Sequence, residues 1–274
     1  MSVRPFRFGV MATPEDPDRW RATARHAEQL GFANLVMPDG MQLPAPFPSL
    51  AIAAAVTERL TVGTFVLAGP LRPPGLAAWE AHSMTALTGG RFELGIGTGH
   101  PGTVRDAVER LDRPATTTAE RLADVERTVT TLRALDGDMP TPVLMAAGGP
   151  RAMAVAARVA DTVTLAVEPA APRAATAERV AALTDACEAV GRAPELAINV
   201  MVVGDEVPPW LAQSLRADAR TLIENDSPVM LRGDASGMAD ELRRRREELG
   251  VSYVIVGAAF MDALAPVVAA LGGR

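Results

Sequence analysis

Short runs of consecutive apolar residues alternate along this chain with longer stretches whose apolar positions recur every three or four residues. The short runs fall near Phe6–Met11, Asn34–Pro38, Thr61–Leu67, Phe92–Gly97, Pro142–Ala146, Thr162–Val167, Ala197–Val203 and Tyr253–Val256. They are apolar on both faces, as parallel strands covered from two sides should be. The longer stretches predict helices near Pro17–Leu30, Pro48–Val56, Gly75–Leu87, Thr118–Leu135, Pro150–Val159, Ala174–Val190, Trp210–Ile223 with Gly237–Leu249, and Met261–Leu271. Gly31, Gly191 and Gly250 punctuate helix ends, where a left-handed residue commonly stops the turn.

Eight strand–helix units in 274 residues predict an α/β chain, a (β/α)8 TIM barrel, whose typical size is about 250 residues. No Ser/Gly linker or composition break divides the chain, so residues 1–274 are expected to form a single domain. In such a barrel the chemistry sits at the C-terminal ends of the strands.

Composition removes several classes. The chain has no lysine, so all 27 basic residues are arginine. Schiff-base nucleophiles and phosphate-binding Walker lysines are thereby excluded. The single cysteine, Cys187, excludes disulfides and CxxC chemistry and reads as a buried thiol. The three histidines (His26, His82, His100) are too dispersed for a zinc motif, so no metal site is expected. A net charge of -6 argues against nucleic acid and anionic membranes. The run RRRR at Arg243–Arg246 lies among acids and reads as a solvated helix face. No signal segment or membrane-length apolar run is read, and a cytoplasmic location is expected.

At the strand ends stand Asp39 (VMPDG), the segment GTGHPG, the loop AAGGPR and Glu168 (LAVEP). In AAGGPR two glycines precede Pro150 at a predicted helix start. Exposed backbone N–H groups there, with Arg151 in the first turn, suit an anion such as a phosphate. GTGHPG satisfies G-x-G-x-x-G, but three strand–helix units precede it and Pro101 and Thr103 are expected to interrupt the helix start. The acid about 20 residues on, Asp124, lies inside a helix, so a dinucleotide fingerprint is rejected. Gly97 and Gly99 are instead expected to thin the strand end for a flat cofactor.

The segments PFRFGV, TERLTVGTFVLAGPLRPPGLAAWEAHSMTALTGGRFELGIGTG, PVLMAAGGPRAMAVAARVADTV and SPVMLRGDASGMADELRRRREELGVSYVIV together resemble the luciferase-like monooxygenase superfamily, closest to its branch using the deazaflavin coenzyme F420. The resemblance implies a flat ring across the barrel mouth, cupped by a non-prolyl cis peptide at Phe65–Val66 with Leu67 and Ala68 continuing the contact. It also implies cofactor contacts from Thr98 and Gly99 and a phosphate-side loop of Ala147, Gly148, Gly149, Pro150 and Arg151. Where many relatives have Asp-His after strand two, this chain has Asp39-Gly40. A general acid or base would then come from Asp39, His100 or Glu168.

The implied activity is F420-dependent hydride transfer to or from a small organic substrate. An FMN-dependent luciferase-type monooxygenase and a non-catalytic flavin-binding barrel are the alternatives. Arg72 is a candidate for a polyanionic cofactor tail, Trp210 for a substrate lid, and Trp79 with Met84 for core packing or a subunit contact in a homodimer. Tyr253 reads as packing.

Overall fold

A computed structural model describes residues 4–274. The elements run in the order β1 (Arg7–Met11), α1 (Pro17–Gln29), β2 (Asn34–Met37), α2 (Pro46–Ala55), β3 (Thr61–Thr64), β4 (Leu67–Ala68) and α3 (Pro74–Leu87). Then come β5 (Phe92–Gly97), α4 (Pro101–Leu111), α5 (Thr118–Asp136), β6 (Val143–Ala147), α6 (Pro150–Val159), β7 (Thr162–Leu165) and α7 (Arg173–Glu188). The last part holds β8 (Glu195–Val200), β9 (Val202–Val203), α8 (Pro209–Leu215), α9 (Ala219–Glu224), β10 (Met230–Leu231), α10 (Ala235–Leu249), β11 (Val251–Gly257) and α11 (Met261–Leu271).

Every main-sheet pairing is parallel, and β5 pairs with both β3 and β4, which closes the sheet on itself. The third stave is the broken pair β3–β4, so eight staves ring the core. This is the (β/α)8 TIM barrel that the apolar pattern predicts. All eight predicted strands are found, and α6 and α11 have the predicted bounds.

Some expectations fail. The segment after GTGH is helical: α4 starts at Pro101, whose missing N–H costs nothing at a first helical position. His100 caps it, its Nδ1 accepting from the Gly102 N–H at 3.2 Å. GTGHPG therefore does open a helix. It remains unlike a dinucleotide turn because it follows the fourth stave.

The RRRR run is not wholly solvated either. Arg245 is 2 % exposed, and its guanidinium donates to Glu241 Oε1 (2.7 Å) and to the carbonyls of Pro228 and Met230 (2.6 Å each). It clamps β10, which pairs with β9 outside the barrel. Arg243 and Arg244 do face solvent, whereas Arg246 is half-buried, its guanidinium 4.2 Å from the ring centre of Phe6. Cys187 is buried, as read, and burial pushes its thiol up.

The floor of the barrel is polar. Arg7, at the start of β1, donates to Glu93 Oε1 (3.1 Å), Glu195 Oε2 (2.6 Å) and Thr162 Oγ1 (3.2 Å). Its guanidinium lies 3.7 Å from the ring centre of Tyr253, which is fully buried in the role the sequence suggested. Gly9 makes room for that ring: a Cβ there would sit 2.8 Å from the Tyr253 hydroxyl. The C-terminal ends of the strands form the other, upper end of the barrel.

Candidate functional site

The upper end is shaped by the break in the third stave. Between β3 and β4 the chain bulges inward at Phe65–Val66, whose peptide bond is cis, at the position the resemblance implied. The Phe65 N–H donates to the Met37 carbonyl (2.7 Å), and the Thr64 hydroxyl donates to the Gly95 carbonyl (2.6 Å).

The neighbouring glycines serve this bulge. A Cβ on Gly95 would lie 1.9 Å from the Thr64 carbonyl oxygen, and one on Gly97 would lie 3.0 Å from Val66 Cγ2. At Gly99 (φ +77°) the near neighbour is Pro70, at 3.0 Å. Contrary to expectation, Gly97 and Gly99 make room for the chain's own bulge and for the turn at Gly69–Leu71. Any space for a flat ring lies on the other side of Val66.

That space exists. A cavity of about 230 Å³ is lined by Phe65, Val66, Ala146, Thr164, Ile198 and Asn199. A second, of about 420 Å³, opens between the ends of β1, β8 and β11. Asn199 and Met201 line both, so the two meet at the end of β8. Sequence reasoning missed Asn199, whose signal was a lone polar residue near the end of the apolar run AINVMVV. Its Oδ1 is buried and has no hydrogen-bond partner among the described residues.

The AAGGPR loop stands at the rim of the smaller cavity. Gly148 lies against Ala166, one of its lining residues, with a built Cβ 3.4 Å from the alanine methyl. Gly149 is the N-cap of α6, no side chain caps that helix, and nothing lies within 4 Å of a built Cβ. The N–H groups of Arg151 and Ala152 therefore face outward without intrahelical partners. Arg151 is exposed and makes no side-chain ion pair among the described residues. Arg179 fastens the loop by donating to the Gly148 carbonyl. Ala147 is buried. An open backbone cradle beside a free cation fits the phosphate end of a flavin or deazaflavin cofactor.

The other expected residues fare differently. Leu67 and Ala68 are buried in the wall and line neither cavity. Thr98 is half-buried, its carbonyl accepting from Arg121 Nε (3.0 Å). His100 is exposed and occupied as a helix cap through Nδ1, which leaves Nε2 free. Glu168 is exposed in the loop after β7.

Asp39 is buried and ion-paired. Its side chain is 3 % exposed, and Oδ2 accepts from Arg72 (2.5 Å) and from the Ala68 N–H (3.0 Å). Arg72 is thereby taken, with Glu80 at 3.5 Å as its second partner, and does not reach toward a cofactor tail. Burial, with Asp39 nearby, holds the Glu80 carboxyl above its ordinary value against the pull of Arg72. Asp39→Ala is expected to cost about 2 kcal/mol, by stranding a buried guanidinium and an amide. Urea unfolding checks it, with Asp39→Asn recovering part of the loss; an unchanged midpoint would return Asp39 to the catalytic candidates.

The profile of the luciferase-like monooxygenases matches residues 2–249. The chain belongs to that family. An F420-dependent glucose-6-phosphate dehydrogenase of Beutenbergia cavernae is 33 % identical over 188 residues, covering 57 % of this chain and 55 % of that protein. The chain spans about half the length of the curated relatives it first matches. Among solved structures, an F420-dependent secondary alcohol dehydrogenase in complex with an F420-acetone adduct superposes with a TM-score of 0.76 at 16 % identity, covering 97 % of this chain and 99 % of that one. A type II Baeyer-Villiger monooxygenase from Pseudomonas putida, in complex with FMN, gives 0.73 at 15 % identity over 96 % and 94 %. At such identities the superpositions show a shared barrel. No helix among the described residues is long and apolar enough to cross a membrane.

Proposed function

We propose that this luciferase-like protein is an F420-dependent oxidoreductase, acting as one domain over residues 1–274. It moves a hydride between the deazaflavin ring and a small organic substrate. One observation carries this reading: the cavity backed by Phe65–Val66 has at its rim an uncapped helix N-terminus and a free arginine. The 33 % identity to an F420-dependent dehydrogenase supports the choice of deazaflavin over flavin.

In this reading Arg151 and the α6 N–H groups hold the phosphate end, and Val66 and Phe65 back the ring. When bound there, the deazaflavin supplies or takes up a hydride at one ring carbon. Asp39 and Arg72 keep the β4 end in place through the Ala68 amide. His100 Nε2 and the Glu168 carboxylate, exposed just after β5 and β7, are offered for proton exchange. The FMN-bound superposition favours FMN as the second reading.

Titration of the purified protein with F420 and with FMN, followed by ring fluorescence, separates the two. Micromolar F420 binding is expected. Binding of FMN alone would replace the first reading with the second, and binding of neither would leave a non-catalytic barrel.

The α2–α3 side completes the proposal. Trp79 is 61 % exposed, and Leu76 and Ile52 are exposed on the same two helices. Met84, by contrast, is buried in the core. We infer that this face joins two copies in a homodimer. Trp79→Glu is expected to shift sedimentation from dimer to monomer at micromolar concentration; a wild-type monomer, or an unaltered dimer in the variant, would reject the face.

A further inference from the structure

The larger cavity carries information about the substrate. Its walls are mainly Met11, Trp20, Met201, Leu211 and Phe260, with the hydroxyls of Thr13 and Thr23. Among the described residues only two charged ones line it, Glu15 and Arg19. They pair with each other at 3.0 Å, Arg19 also reaches Asp16 at 3.4 Å, and both side chains are largely in water. A phosphorylated sugar placed here would find no unpaired cation for its dianion and few partners for its hydroxyls, and an apolar site does not repay that desolvation.

The wall's unsatisfied group is Asn199. It stands where the two cavities meet, between the Phe65–Val66 bulge and the larger space, with Oδ1 buried and without a partner. A primary amide accepts from an alcohol O–H and donates to a ketone carbonyl. One residue can therefore serve both members of a hydride couple. The lining also includes Trp210 on α8, 63 % exposed, and the buried Trp20.

We propose that the 420 Å³ cavity takes an uncharged, mostly apolar alcohol or its ketone, positioned by a hydrogen bond to the Asn199 amide. The occupant's redox role rests on the hydride-transfer reading above; its binding to this cavity does not. Trp210 closes over the occupant's apolar side.

The test is a fluorescence titration in a Trp79→Phe background, where the emitting indoles, Trp20 and Trp210, both line the cavity. Cyclohexanol, cyclohexanone, chlorocyclohexane and glucose 6-phosphate are added to protein with and without F420. Saturable quenching is expected with the three cyclohexyl compounds and none with glucose 6-phosphate. Asn199→Leu should weaken the alcohol and the ketone about tenfold, the worth of one hydrogen bond, and leave chlorocyclohexane within about twofold. Should that variant not fold, Asn199→Val carries the same comparison.

The proposal is overturned if glucose 6-phosphate binds more tightly than cyclohexanol, if no cyclohexyl compound binds, or if all three weaken equally in the Asn199 variant. Quenching by cyclohexanol in protein that fails to bind F420 would reject the hydride-transfer reading and leave the pocket assignment standing. F420 binding without quenching would do the reverse.

Discussion

Arg7→Met is expected to lower the unfolding free energy at pH 7 by about 3–5 kcal/mol, because it leaves buried carboxylates without their cation. Arg7 is shared between Glu93 and Glu195 at the barrel floor, and no other cation approaches either acid within 4.0 Å among the described residues. Glu195 keeps other partners in the variant, accepting from Ser252 Oγ (3.0 Å) and Thr162 Oγ1 (3.4 Å). Glu93, 3 % exposed, keeps only a long bond from Asn34 Nδ2 at 3.4 Å. Burial already holds the Glu93 carboxyl above its ordinary value, outweighing the pull of Arg7. Without Arg7 it rises further. A raised folded value contributes stability that is full below the unfolded value of about 4.3 and is lost as pH rises through the folded one. The deficit against wild type should therefore shrink on acidification from pH 7 to pH 5. Urea unfolding of both proteins at the two pH values checks this, the difference between them cancelling the groups that Arg7 does not touch. A deficit below about 1 kcal/mol, or one that grows at pH 5, would remove the floor network from the stability of this barrel.

That network also shows where sequence reading stops. The eight strands were legible because buried parallel strands carry their signal locally, as apolar runs between helical periods. Arg7, Glu93 and Glu195 lie 86 and 188 residues apart, and only ring closure brings them together. Asp39 and Arg72 show the same limit: each looked like a free group, and their separation of 33 residues conceals that they neutralise one another. Arg245 had a local signal that the charge run obscured. Met238, Leu242, Arg245 and Leu249 follow one another at spacings of four, three and four, which puts the arginine on the buried stripe of α10. The α4 helix was lost to reading Pro101 as an interruption when it is a first helical residue behind a capping histidine. The start of α6 at Pro150 was legible, because two glycines before a proline state their backbone geometry directly.

Gly149→Asp is the second large effect expected, and it acts on binding with the fold intact. Gly149 has φ -141° and ψ 171°, extended backbone open to any residue, and a side chain there would point into empty space. Aspartate at an N-cap accepts from the first-turn N–H groups and is worth a few tenths of a kcal/mol more than glycine. The thermal midpoint should thus hold or rise slightly. The same carboxylate occupies the N–H groups of the α6 cradle and sets a negative charge beside Arg151, where the cofactor phosphate is proposed to sit. Hydrogen bonds to a charged group contribute about 1.5–3 kcal/mol, so affinity for F420 should fall about 100-fold. Gly149→Ala separates charge from bulk: its methyl meets nothing within 4 Å, and affinity should stay within about threefold. Ring-fluorescence titrations of the two variants decide the matter. If the aspartate variant binds F420 as wild type does, the anion is held elsewhere and α6 is an ordinary barrel helix; if alanine costs as much as aspartate, the loop is a tight steric fit and the electrostatic argument fails.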